Sequence, residues 1–323
     1  MAKISYHVSH EQFKPGKLLE LAMMAQKAGF KGALSSDHFC PWNNEQGESG
    51  FAWSWLGAAL AKTDITFGVV NAPGYRYHPA VIAQAGATLA EMFPGRFWMA
   101  LGSGQALNEH ITAMHWPDKE TRNEILLECV EIIRALWRGE TVTHEGLIMV
   151  EDARLYTLPE TPPRIVGAAL TVKTAGWLGS WADGIITVSH PVEQLKEMIK
   201  AFRENGGEGK KLILKVQLSY DKTDDEALEG AFTQWKTNIF KSHMLSQLRT
   251  PDQFEAAAEF VTPEVMHEHV RISSNLDRHI EWINEYISLG FDEIVLHNVN
   301  RKHEQFIEDF GSKVLPKLEN TEV

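Results

Sequence analysis

Residues Ser36-Asp37-His38-Phe39-Cys40-Pro41-Trp42 place a carboxylate, an imidazole, a thiol and an indole within seven positions. They follow the short apolar run Gly32–Ser36, which reads as a buried strand. An acid beside a histidine at a strand end is costly to bury without a partner, so such a pair is either a structural cap or part of a site. An imidazole there titrates near neutral pH and suits general base chemistry. The same kind of residue gathers at other strand ends: His7-Val8-Ser9-His10-Glu11, Val69-Val70-Asn71-Ala72-Pro73, and Gly102-Ser103-Gly104-Gln105 running into Asn108-Glu109. Gly102-Ser103-Gly104 permits close backbone approach to a flat ligand or a phosphate, but it lacks the third glycine and the acidic ribose partner of a dinucleotide fingerprint. Gly167-Ala168-Ala169-Leu170-Thr171 opens a helix whose free N–H groups suit a phosphate, and Thr171 serves equally well as a plain N-cap.

A metal centre is disfavoured. His7 and His10, three apart, point to opposite faces of a continuing strand, and none of the fourteen histidines falls in an HExxH pattern. Cys40 and Cys129 are the only cysteines, too few for a disulfide framework or a thiolate cluster, and Cys40 is expected to be a small buried apolar group.

The elements that position these residues alternate in βα units. Strands are expected at Lys3–Val8, Gly32–Ser36, Ile65–Val70, Phe97–Leu101, Arg164–Gly167, Gly184–Val188, Leu212–Ser219 and Glu293–His297. Apolar stripes at helical spacing lie between them: Leu18, Leu21, Ala22, Ala25 and Ala28 before Gly29, and Ile125, Leu126, Val130, Ile133, Leu136 and Trp137 before Gly139. Eight strands indicate a (β/α)8 TIM barrel, with insertions after strands 4 and 7. The first, Asn108 to Pro163, holds a long helix and a hairpin through Thr141–Val150. The second, Asp224 to Leu289, is expected to hold helices at Trp235–Leu248 and Pro251–Phe260. No linker or repeat divides the chain, so one domain over residues 1–323 is expected.

With 44% hydrophobic residues the 323-residue chain can bury a large core. The balance of 31 basic to 43 acidic residues, net −12, argues against nucleic acid and anionic lipid surfaces as partners. The absence of a leader-like start or a bilayer-length apolar run points to a soluble, cytoplasmic protein. Among the ten tryptophans, Trp53 and Trp55 read as packing or interface anchors.

The strand ends resemble those of the luciferase-like flavin and deazaflavin (coenzyme F420) oxidoreductases, closest to the glucose-6-phosphate and secondary-alcohol dehydrogenase branch. The matching text is His10-Glu11-Gln12-Phe13, Ser36-Asp37-His38-Phe39 with Pro41-Trp42, Arg76-Tyr77-His78-Pro79 through Gln84, Ala106-Leu107-Asn108-Glu109, Trp181-Ala182-Asp183-Gly184, and Phe291 through Phe310. The resemblance implies a barrel, usually dimeric, with the cofactor ring at the strand C-termini. It implies that Asp37, Val69, Val70, Ala72, Ser103, Gly104 and Asn108 line the cofactor, with a non-prolyl cis peptide at Val69–Val70. Gly167, Ala168, Ala169 and Thr171 would lie near its phosphate, although the family's Gly-Gly-Pro is here Ala168-Ala169-Leu170.

For the chemistry, the resemblance makes His38 the base that takes a substrate hydroxyl proton, with Trp42 and Glu11 beside it and Asp37 or Glu11 tuning it. Gln105 stands where the family has an acid, and an amide cannot deliver a proton. Leu245 and His269 stand where the glucose-6-phosphate enzymes have a lysine and an arginine, and no lysine lies in the 187–192 loop. A small uncharged alcohol or carbonyl compound is therefore expected rather than a sugar phosphate. These departures favour FMN over F420 as the cofactor. The alternatives are an FMN-dependent monooxygenase, supplied by a flavin reductase, and a non-catalytic flavin-binding protein.

Overall fold

A computed structural model describes residues 2–319; residue 1 and residues 320–323, the ends of the expected domain, lie outside the described residues. The barrel strands are β1 (Lys3–Val8), β2 (Gly32–Ser36), β3 (Thr66–Asn71), β4 (Phe97–Leu101), β5 (Arg164–Ala168), β6 (Gly184–Val188), β7 (Lys211–Ser219) and β8 (Glu293–Asn298). Each pairs in parallel with the next, β8 pairs with β1, and the ring of eight closes. This is the (β/α)8 barrel. A two-residue strand, Arg271–Ile272, adds to the end of β7.

Period-2 alternation sorts the strand side chains into two layers. Leu34, Ala100, Val166, Ile186, Ile213 and Val295 meet inside the barrel, while the alternate positions, such as Tyr6, Phe67 and Val69, join the core between barrel and helices. Both expected stripes are buried. Leu18, Leu21, Ala22 and Ala25 lie on the inner face of a helix that begins with Pro15 at its first turn, and Gly29 follows its end at φ +105°. The N-terminal end of the barrel is closed by polar groups: the Lys3 ammonium lies 2.9 Å from Glu293, which also accepts from Ser5 Oγ at 2.5 Å. The interior toward the strand C-termini is occupied differently. The register continues Tyr6↔Leu296 to His7 and His297, and Val188↔Lys215 puts a lysine on the inward face of β7.

The segment after β4 contains the helix Lys119–Trp137 and the antiparallel hairpin Val142–Glu145 with Met149–Ala153. The segment after β7 departs from the expected long helix. A helix over Asp224–Trp235 stops at Trp235, and only a 3-10 turn (Lys236–Asn238) and one short helix (Ser242–Leu245) follow before Pro251–Ala257. The Gln234 carbonyl is taken by the side-chain amides of Asn43 (3.3 Å) and Gln46 (3.1 Å), which draws the helix end onto the loop after β2. Trp235, Phe254 and Met266 from this segment then pack with Trp42 in a third apolar cluster that roofs one side of the barrel mouth. Among the described residues no helix is long and apolar enough to cross a membrane.

Candidate active site

Glu11 follows β1 in a tight turn, and its carboxylate is nearly inaccessible. Oε2 accepts from Ser9 Oγ at 3.0 Å and Ser36 Oγ at 2.9 Å, and Oε1 lies 3.3 Å from His38 Nδ1. That last contact is a close approach rather than an aligned hydrogen bond, because Nδ1 has no partner by hydrogen-bond geometry, and it becomes an ion pair only when the imidazole is protonated. Burial alone would raise the Glu11 pKa, yet His38 and the hydrogen bonds hold it below the usual carboxylate range. Burial lowers the His38 pKa, with Glu11 opposing and Arg76 and Lys215 adding to the depression. The pair at neutral pH is thus a carboxylate beside a neutral imidazole. The Trp42 ring, 5.0 Å from the imidazole by centroids, packs edge-on against Phe254.

Asp37, the histidine's neighbour in sequence, does a different job. Its carboxylate accepts from Asn71 Nδ2 at 2.6 Å, Trp53 Nε1 at 3.1 Å and Tyr77 Oη at 3.1 Å, with Arg76 at 3.5 Å. Arg76 also donates to the Asp37 carbonyl. Three side-chain donors take this carboxylate, so Asp37 ties β2 to β3 and the helix Ala52–Lys62, and Glu11 is the carboxylate that lies beside His38 Nδ1. Arg76 bridges to a second buried acid, Glu109, at 3.3 Å. Burial pushes the Glu109 pKa up to about 7 against the pull of Arg76.

The remaining expected residues fall into two groups. Ala72, Ser103, Gly104, Gln105 and Ala168 all follow or end barrel strands: Gly104 lies against Ala72, Gly102 against Ala168, and the Ser103 hydroxyl accepts from Lys119 Nζ. Gly104 has φ +79°, and a Cβ there would lie 3.1 Å from Trp116 and 3.4 Å from Ala72 Cβ. The Asn71 side-chain oxygen, Oδ1, and the Tyr75 hydroxyl are buried without hydrogen-bond partners. Small side chains, a left-handed glycine and orphaned polar atoms fit a flat heteroaromatic ligand with a polar edge. Gln105 is half-buried at the start of Ala106–Glu109 and its side-chain amide bonds to none of the described residues.

The other group serves the scaffold. Asn108 Oδ1 accepts from the Phe39 amide at 2.9 Å and holds the turn after β2. Val69 points into the outer core, leaving Val70 as the inward residue of the two. The cis peptide expected between them is absent, as no peptide bond among the described residues is cis. Both valines continue the regular ladder, Val69↔Met99 and Val70↔Ala100, which a trans chain satisfies. Gly167 answers a packing need, since a Cβ would meet Leu178 at 2.4 Å. Ala169 is buried and its amide bonds Ile186, while Thr171 caps the helix Val172–Gly179 by accepting from Thr174 N at 3.2 Å. Cys40 is half-buried and burial raises its pKa, so it is no ready nucleophile. His7 and His10 do diverge, His10 bonding Ser35 Oγ at 2.8 Å, and among the described residues no three His, Cys, Asp or Glu groups are placed to hold a metal.

With this geometry in place the comparisons with known proteins are informative. Residues 1–293 match the family model described as luciferase-like monooxygenase. The chain belongs to that family. Within the family, it is 34% identical to the F420-dependent glucose-6-phosphate dehydrogenase of Microbacterium testaceum, covering 98% of this chain and 97% of the relative. It is 32% identical to the enzyme of the same name from Mycolicibacterium smegmatis, covering 98% of each. A solved structure of an F420-dependent secondary alcohol dehydrogenase with an F420–acetone adduct superposes with a TM-score of 0.90 at 28% identity, over 98% of this chain and 99% of that one. These luciferase-like relatives are F420-dependent oxidoreductases. Their names also correct one expectation: relatives aligned end to end with this chain are named for a sugar phosphate, so the absence of cations at Leu245 and His269 does not exclude that substrate class.

Sequence reasoning missed Arg76 as the bridge between Asp37 and Glu109, and it missed Lys215 and His297, the latter packed against His7. The signal for Lys215 was present: Ile213, Lys215 and Gln217 share one parity in β7, so a lysine falls on the face that must look into the barrel.

Proposed function

We propose that this chain is an oxidoreductase that moves hydride between a flavin-type cofactor at the barrel mouth and the alcohol or carbonyl carbon of a small substrate. The observation that carries this reading is the Glu11–His38 pair, 3.3 Å apart beneath Trp42, with a neutral imidazole at working pH. When bound, a flavin or deazaflavin ring supplies the two-electron acceptor or donor. The chain's own work is acid–base and positional. In the oxidative direction His38 Nε2 takes the hydroxyl proton and Glu11 stabilises the imidazolium so formed; the carbinol hydrogen and its electron pair would go to a bound flavin-type ring, which leaves the carbonyl product. Trp42 and the roof cluster exclude water and seat the substrate carbon.

F420 is the cofactor that the named relatives support. FMN keeps one argument from this chain: Gln105, an amide at the family's acidic position, suits a ring nitrogen that needs a hydrogen bond rather than a proton. Titration with each, followed by visible absorbance, separates them, and a protein that binds neither ends the proposal. With the cofactor that binds, His38→Ala is expected to lower turnover by about 10²–10⁴-fold while cofactor affinity changes little. Unchanged turnover would remove His38 from the chemistry.

A further inference from the structure

In a chain of net charge −12, Lys215 stands on the inward face of β7, two residues on from Ile213 of the barrel interior. Its ammonium lies 5.7 Å from the centre of the Trp235 ring, in the roof cluster that also holds Trp42. No carboxylate oxygen of the described residues comes within 4 Å of it, and it donates no hydrogen bond. Lys215 is half-buried, and a half-buried ammonium without a counter-ion is a ready partner for an incoming anion.

A second observation points to the same place. His297, 1% exposed and edge-on to Trp235 at 4.8 Å, has both ring nitrogens without a partner, and His7, its ring 4.1 Å away and tilted by 50°, has Nδ1 unpartnered. The groups facing Lys215 are thus His7 and His297 from β1 and β8, His38 after β2, and Glu11, the single acid that acts on it electrostatically. Burial lowers the Lys215 pKa to about 8, with Glu11 opposing, which leaves it protonated at neutral pH. Glu11 is already engaged by two hydroxyls and His38, so it does not serve as the lysine's own partner.

We propose that Lys215, flanked by His297, is the anion-binding residue of the substrate pocket: the substrate carries a carboxylate or phosphate group that lies against β7 while its hydroxyl or carbonyl faces His38. The proposal rests on the reading that His38 faces the substrate, and it assigns the specificity that reading leaves open. It also gives the pocket a cation from a strand different from the positions held by Leu245 and His269.

Matched probes test it through tryptophan fluorescence, since Trp42 and Trp235 line the pocket. Lactate is compared with propane-1,2-diol for the carboxylate source, and glucose 6-phosphate with glucose for the phosphate source. One anion should bind at least about tenfold more tightly than its neutral partner, as expected for a charged hydrogen bond. Lys215→Met should erase that preference, bringing the anion and its neutral partner to within about twofold of each other, and Lys215→Arg should retain most of it. An absent preference in the wild-type protein, which needs no variant to fold, would overturn the proposal, as would a preference that survives Lys215→Met. Because this readout requires no turnover, its failure is distinct from failure of the cofactor titration, which would overturn the functional reading instead.

Discussion

At the level of single side chains, the contrast between Asp37 and Glu11 decides the chemistry. Adjacent in sequence to His38, Asp37 looks like its natural partner, yet Trp53, Asn71, Tyr77 and Arg76 consume its carboxylate. Glu11, twenty-seven positions earlier (38 − 11), reaches the imidazole because β1 and β2 pair in parallel and bring their C-terminal ends together. Its charge favours imidazolium, so it raises a pKa that burial depresses. Glu11→Gln should therefore lower the His38 pKa further and move the acidic limb of the kcat/KM profile to lower pH. It should also reduce the rate on the plateau, where the imidazolium formed in the reaction has lost its counter-charge. A limb that stays in place, or moves to higher pH, would show that Glu11 does not act on His38 electrostatically.

At the level of elements, small residues set how the strands fill the barrel. Gly68 on β3 leaves the space occupied by Trp98 of β4, since a Cβ there would sit 2.2 Å from the indole. Gly68→Ala should cost about 1–3 kcal/mol by overpacking, measured by urea unfolding, and pairing it with Trp98→Phe should recover part of the loss. Equal destabilisation in the single and double variants would mean that the strand itself, not the indole, resists the methyl. The segment after β7 illustrates the opposite case, where contacts override local preference. Its run of helix-compatible residues ends at Trp235 because two side-chain amides from the loop after β2 claim the Gln234 carbonyl. That break is what lets Trp235 turn into the roof beside Trp42.

At the level of the whole molecule, the histidines are a burden in acid. His10 and His279 have pKa values lowered to about 4 and His303 to about 3, chiefly by burial, and His7 and His297 are pushed down for the same reason. A depressed folded-state pKa contributes stability above the unfolded value of 6.5 that is lost as pH falls toward the folded value. Stability should therefore decline between pH 6.5 and 5, before most carboxylates titrate, at up to about 1.4 kcal/mol per pH unit for each such histidine. A melting temperature that is flat across that window would contradict it. Replacing His303, whose Nδ1 bonds the Tyr6 hydroxyl at 2.6 Å, should reduce the slope at the expense of stability at neutral pH.

Much of this architecture is legible in the sequence, because strand and helix periodicities are local and each βα unit repeats the same demand for two apolar layers. All eight strands read from the pattern begin and end within a residue of those observed, and the polar strand ends mark the end of the barrel at which Glu11 and His38 meet. The sequence alone also carries the motifs that tie the chain to its family. Partner choice is another matter, since it depends on which side chains converge when the ring closes. Only the tertiary structure selects Glu11 over Asp37, turns Asn108 and Gly167 into scaffold, and joins Arg76 to Glu109. It alone places Lys215 among His7, His297 and Trp235, because β1, β7 and β8 are distant in sequence and become neighbours through the closure of the barrel.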